Sequence, residues 1–166
     1  MIIKYTNFSD GIHDFRLTES AKNLELEDRF FGNVLVDCKM DKSPHQIVLS
    51  CNLILQANLV CDRCGKEFEK NLTNHFQISY LFGRDSAKND DFNLKFLSKD
   101  QDKINIRDDV FEYAELALPM KILCSDECKG ICPICGKNLN EETCNCKTEI
   151  DNGIWEPLKK LKDKLN

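Results

Sequence analysis

The sequence predicts an α+β protein. Its body is a mainly antiparallel β-sheet, barrel-like in closure, with one or two helices and a small C-terminal segment organised by cysteine knuckles. Three observations carry this expectation. Residues 46–60 alternate apolar and polar side chains over a length that suits one long strand with a single buried side. A second alternating stretch follows at 67–81, after the break Cys61-Asp-Arg-Cys64-Gly65. Six of the ten cysteines then fall between 124 and 146, a stretch too short to hold a hydrophobic core.

From the N-terminus, Asp10-Gly11 reads as a turn and Ile12 to Leu17 as a short strand. Lys22 to Arg29 is charged and has no clear period. Asn33 to Cys38 is a strand with Val34, Val36 and Cys38 on one face. In the long strand Gln46 to Val60, Leu49, Cys51, Leu53, Leu55, Ala57 and Leu59 share the apolar face. The stretch from Glu67 to Leu81 places Phe68, Leu72, Phe76, Ile78 and Tyr80 as its larger groups. The simplest arrangement of these two is a β-hairpin with the cysteine pair at its tip. Residues 84–103 are a polar surface excursion, with one short strand at Phe92 to Phe96. A helix is expected near 106–118. Asp108 and Asp109 sit where carboxylates suit its dipole, Val110, Ala114, Ala117 and Leu118 form its apolar stripe, and Pro119 ends it. Ile154, Leu158, Leu161 and Leu165 recur at helical spacing, with Pro157 in the first turn. The expected organisation is a body at 1–120, a cysteine-rich segment at 121–150 and an amphipathic helix at 151–166.

Composition narrows the function. The chain is 42% hydrophobic and 31% charged, which supports folding rather than a disordered tail. No apolar run reaches the length of a membrane span, and the start Met1-Ile2-Ile3-Lys4-Tyr5 lacks the cationic lead of a signal peptide. A reducing cytoplasm is the expected compartment, where clustered cysteines serve as metal ligands or redox groups more often than as disulfides. The net charge of −5, with cations and anions interleaved, disfavours a sequence-independent grip on RNA and favours a basic protein partner.

The cysteines are the main candidates for chemistry. In Cys132-Pro-Ile-Cys135-Gly136 two thiolates can face one metal while turn N–H groups offset their charge. Cys144-Asn-Cys146 returns two more, and tetrahedral zinc is the natural occupant of that set. Such a site can contribute about 10–16 kcal/mol, enough to order a segment with no core. Cys61 and Cys64 repeat the knuckle. Their partners are Cys124 and Cys128, giving a second four-cysteine set, or Cys132 and Cys135, as in a zinc ribbon; the spacing leaves both open. One or two structural zinc ions are expected. Cys38 and Cys51 fall on apolar strand faces and are expected to be free packing thiols. His13, His45 and His75 lack ligand spacing, and Trp155 is expected to be a packing anchor.

No catalytic set emerges. Thiol–disulfide exchange at Cys61 and Cys64 would call for a helix N-terminus to activate the thiol, whereas Gly65-Lys-Glu-Phe leads into a strand. An all-cysteine metal set is closed, which points to structure rather than catalysis.

The order of motifs is itself specific. A long strand leads to Cys61-Asp-Arg-Cys64, with Phe68 after it and a variable acidic stretch beyond. Glu115-Leu-Ala-Leu-Pro119-Met-Lys follows. Then comes Leu123-Cys-Ser-Asp-Glu-Cys128-Lys-Gly-Ile-Cys132-Pro-Ile-Cys135-Gly-Lys-Asn-Leu-Asn140, closed by Cys144-Asn-Cys146. This resembles the YceD family, also called domain of unknown function 177, over most of the chain. The resemblance implies a role in accumulation of 23S ribosomal RNA and in production of the large ribosomal subunit. The expected protein is a cytoplasmic, non-enzymatic factor that binds a large-subunit precursor or a basic ribosomal protein. Direct RNA binding through the cysteine-rich segment and thiol redox chemistry at Cys61/Cys64 are the alternatives. At its end the chain departs from the family, with Asp151-Asn-Gly-Ile-Trp155 where Asp-Pro-Arg often stands.

Overall fold

Long alternating segments can bury only one side, and the four longest strands line up to share that side. A computed structural model describes residues 1–83, 93–98 and 100–146. Its strands are β1 (Ile2–Ile3), β2 (Gly11–Ser20), β3 (Phe30–Lys42), β4 (Gln46–Val60), β5 (Glu67–Phe82), β6 (Leu94–Leu97) and β7 (Ile104–Asn105). A 3-10 turn spans Tyr5–Asn7, and one α-helix among the described residues, α1, spans Arg107–Glu115. The main sheet has the order β2-β3-β4-β5-β6, and β1 pairs with β7 in a small separate sheet. The pairings from β2 to β5 are antiparallel, while β6 joins β5 in parallel.

The inner face follows the sequence pattern. Val34 and Val36 of β3, Leu49, Leu53 and Leu55 of β4, and Phe76 and Ile78 of β5 are almost wholly buried. Burying each such side chain is worth about 1.5–3 kcal/mol. The cover over this face comes from Ile3 and Tyr5 near the N-terminus, from Leu24 and Leu26, and from Ile104, Ile106, Val110 and Ala114 at and before α1.

The sheet does not close. β2 and β6 are its two edges, so the expected barrel-like body is an open mixed sheet. Among the described residues the four-residue strand β6 pairs with β5 and with no other strand. The helix and the N-terminal residues cover the apolar face that a barrel would have enclosed.

α1 is pinned to β5 by specific contacts. Asn74 Nδ2 donates to the Tyr113 carbonyl at 2.9 Å, and the rings of Phe76 and Tyr113 stack at 4.7 Å. Lys95 of β6 pairs with the buried Asp109 carboxylate in the first turn of the helix. The helix ends at Glu115, but the Leu116 N–H still donates to the Glu112 carbonyl, and Ala117 and Leu118 continue with bonds to the carbonyls of Ala114 and Glu115. The chain therefore leaves the helix in a fixed direction, toward the tip of the β4–β5 hairpin.

Cys38 and Cys51 lie directly opposite each other on the inner face of β3 and β4, buried as the alternation predicts. They are not free thiols: the structure joins them as a disulfide. Period-two alternation fixes the face of a residue, whereas the pairing depends on register, which only the assembled sheet reveals. The amphipathic segment 151–166 and Trp155 lie outside the described residues. Among the described residues no helix is long and apolar enough to cross a membrane.

Candidate metal centres

The β4–β5 hairpin carries Cys61 directly beyond β4. The Cys61 N–H donates to the Lys66 carbonyl at 2.9 Å, and the Gly65 N–H donates to the Cys61 carbonyl at 2.9 Å. This closes a tight turn with Cys64 inside it. The segment after α1 is then clipped on at two points. Asp62 N–H donates to the Ile122 carbonyl at 2.8 Å, and Ile122 N–H donates to the Asp62 carboxylate at 2.7 Å. That clip delivers Cys124 and Cys128 to the knuckle.

The second knuckle repeats the first almost bond for bond. Cys132 N–H donates to the Lys137 carbonyl at 2.8 Å, and Gly136 N–H donates to the Cys132 carbonyl at 2.9 Å. A bridge between Ile131 and Asn138 closes its base.

The eight cysteines fall into two groups of four: Cys61, Cys64, Cys124 and Cys128, and Cys132, Cys135, Cys144 and Cys146. Within each group the four sulfurs lie within 4.8 Å of one another. Thiolates about 2.3 Å from a tetrahedral zinc stand about 3.8 Å apart. The Cys61–Cys128 and Cys64–Cys124 sulfur separations are 3.8 and 3.7 Å. Both groups can hold a metal ion. The knuckle-to-knuckle pairing of Cys61/Cys64 with Cys132/Cys135 is not the one formed. No histidine joins either group among the described residues.

The electrostatics of the sulfurs suit a cation. Burial pushes the Cys61 thiol up, but N–H groups of Cys124, Cys64 and Arg63 more than reverse this and bring it down to about 6. The N–H groups of Cys135 and Ile134 bring Cys132 down to about 6. Their neighbours move the opposite way. Burial and then the adjacent sulfurs raise Cys124 to about 12, and the Cys135 sulfur, followed by burial, raises Cys146 to about 12. Four crowded thiols cannot all ionise alone, since each new charge meets the last. A divalent cation removes that conflict.

Access differs between the groups. Cys61, Cys128 and Cys132 are buried, whereas Cys135 is exposed. Sequence reasoning found all eight cysteines but missed the residues that hold the loops together: Asp62, Arg63 and Asn140. Asp62 and Arg63 lie inside the first knuckle and Asn140 between Cys135 and Cys144 of the second group. The only signal was their position among the ligands.

Comparison with known proteins gives a consistent result. The family model described as "Large ribosomal RNA subunit accumulation protein YceD" matches residues 49–162, a span that includes most of β4, together with β5, α1 and both cysteine groups. A curated relative from Arabidopsis thaliana, named "Large ribosomal RNA subunit accumulation protein YCED homolog 1, chloroplastic", is 24% identical over 133 residues. The match covers 64% of this chain and 41% of the relative, so the chain spans about two-fifths of that relative's length. No solved structure matches.

Proposed function

The chain belongs to the YceD family, and from that premise we propose that it is a non-enzymatic factor supporting 23S ribosomal RNA accumulation and assembly of the large ribosomal subunit. The family match, which runs across both cysteine groups, is the observation that carries this reading. The partner we assign is a large-subunit precursor particle or a basic ribosomal protein, met in the cytoplasm.

Physical features support it. The chain is acidic overall. Leu26, Glu27, Asp28, Arg29, Val60 and Ile122 line a groove of ≈ 690 Å³ beside the first cysteine group. Two of its carboxylates outnumber its one guanidinium, and Arg29 is already paired with Glu27. Leu116 and Met120, between α1 and the first cysteine group, stand exposed. A partial apolar, net acidic surface suits a cationic protein segment better than a phosphate backbone.

In this reading both cysteine groups hold structural zinc. When bound, zinc would cross-link the hairpin tip to residues 124–146 and supply folding energy. Four thiolates leave no open coordination position, so the groups are scaffolding. Redox chemistry with Cys61 as the attacking thiol is disfavoured by access, since its sulfur is buried and faces Cys128, although Cys64 is partly exposed.

Sedimentation of a gently lysed culture tests the reading. The chain is expected to migrate with large-subunit precursor particles at low salt. Recovery only at the top of the gradient would contradict it. Binding to isolated 23S fragments with a steep salt dependence would replace the protein-partner reading with direct RNA contact.

A further inference from the structure

The two cysteine groups are in direct contact, through a residue that is a ligand of neither. Asn140 lies in the hairpin of the second group, between Cys135 and Cys144. Its side-chain Nδ2 is 3.3 Å from the sulfur of Cys128, a member of the first group. The opposite end of the same amide accepts a hydrogen bond from the Lys129 N–H at 2.7 Å. Because Lys129 N–H can only donate, that bond fixes which end of the amide is oxygen and leaves the NH₂ facing the sulfur. Asn138 Oδ1 holds the same Nδ2 at 2.8 Å and also accepts the Asn140 N–H.

A second connection runs the other way. Arg63, in the first knuckle, donates from Nη1 to the Cys128 carbonyl at 2.7 Å. Its own carbonyl accepts the Ile131 N–H, one residue before the first ligand of the second group. Leu139 N–H donates to the Gly130 carbonyl and ties the second hairpin back to the same short linker. The linker 129–131 is thus held from both sides.

We propose that Asn140 is a positioning residue for the first metal centre, and that through it and the Arg63-held linker the two centres load as a linked pair. Closing Cys132, Cys135, Cys144 and Cys146 around a metal fixes the hairpin and with it the Asn140 amide. That amide then donates to the Cys128 thiolate and spreads its charge, as outer hydrogen bonds do for metal-bound ligands. Linkage requires the reverse: a metal in the first centre, which fixes Cys128 and the linker, tightens the second by the same factor. The proposal rests on the reading of both groups as metal centres.

Native mass spectrometry of the full chain loaded with Zn²⁺, stripped stepwise by a chelator, tests it. Linked centres leave mainly two-metal and metal-free chains, with the one-metal form below its statistical share. Asn140→Asp keeps the acceptor for Lys129 but replaces the N–H donor with an oxygen facing the thiolate. It is expected to restore the one-metal form toward its statistical share and weaken Co²⁺ binding at the first centre about tenfold. Asn140→Asp also loses the Nδ2 bond to Asn138 Oδ1, so Asn138→Ala is the control. If Asn140 only shapes the loop, Asn138→Ala weakens the first centre as much as Asn140→Asp, which would overturn the positioning role. In a Cys144→Ser/Cys146→Ser variant, the remaining centre is expected to bind Co²⁺, followed by its thiolate charge-transfer absorption, about tenfold more weakly than in the parent. A statistical one-metal population in the unaltered chain overturns the linkage without needing any variant. An absence of bound metal would instead remove the metal reading itself.

Discussion

At the scale of single residues, the cysteine groups depend on a few backbone details that ligand spacing does not show. Gly130 and Gly136 both have positive φ, at +77° and +71°. They differ in what surrounds them. A Cβ on Gly136 would meet nothing within 4 Å, whereas one on Gly130 would lie 3.0 Å from the Arg63 carbonyl oxygen. Gly136→Ala is therefore expected to cost about 1–2 kcal/mol, the left-handed backbone penalty alone. Gly130→Ala should cost more, because it also pushes the linker off Arg63. Chelator competition on the two purified variants checks the ordering; equal metal retention would contradict it. Asp62 offers a second residue-scale case. Asp62→Ala removes the acceptor for the Ile122 N–H and should cost about 1 kcal/mol. Its effect should appear as weaker metal binding at the first group, with the urea midpoint of the sheet little changed.

At the scale of elements, most of the β framework was legible. The alternation at 46–60 gives β4 to the residue, and the break at Cys61–Gly65 gives the hairpin tip. Such patterns are readable because one-sided burial imposes a strict period of two. β1, β7 and the 3-10 turn at Tyr5–Asn7 were not foreseen, because two- and three-residue elements contain no full period. The open sheet was misread as barrel-like for a related reason: closure depends on whether the edges meet, and the pattern within each strand is the same either way. In the cysteine segment the ligand types were readable, but two pairings fitted the spacing equally well. What separates them is the Asp62–Ile122 clip, a long-range contact with no local signal. The α1–sheet contact yields its own test. Lys95→Ala leaves the buried Asp109 carboxylate without its cation and should destabilise the body by about 1–3 kcal/mol. Urea unfolding followed by far-UV circular dichroism measures this, and an unchanged midpoint would contradict it.

At the scale of the whole molecule, two kinds of cohesion meet at the hairpin tip. An apolar core holds the sheet, whereas residues 121–146, where few apolar side chains are buried, are tied by hydrogen bonds and gathered around the two cysteine groups. Acid should separate them. Cys61 and Cys132 are held below the usual thiol range, so the stability their thiolates confer is present above the unfolded value of about 8.5 and is lost as pH falls through about 6. Protons then compete with metal for the sulfurs. Metal release, followed with a chromophoric chelator, is expected on acidification while the sheet keeps its circular dichroism. Loss of both signals together would contradict the separation. The same division suits the proposed role, in which a stable sheet presents a cross-linked module and an acidic groove to a basic component of the large subunit.

The most direct test of the account is the metal content of the full chain purified without chelators, read by native mass spectrometry. Two closed four-cysteine centres predict two zinc ions per chain, both lost on acidification. A chain that carries no metal while all eight of these cysteines react freely with a thiol reagent would contradict it.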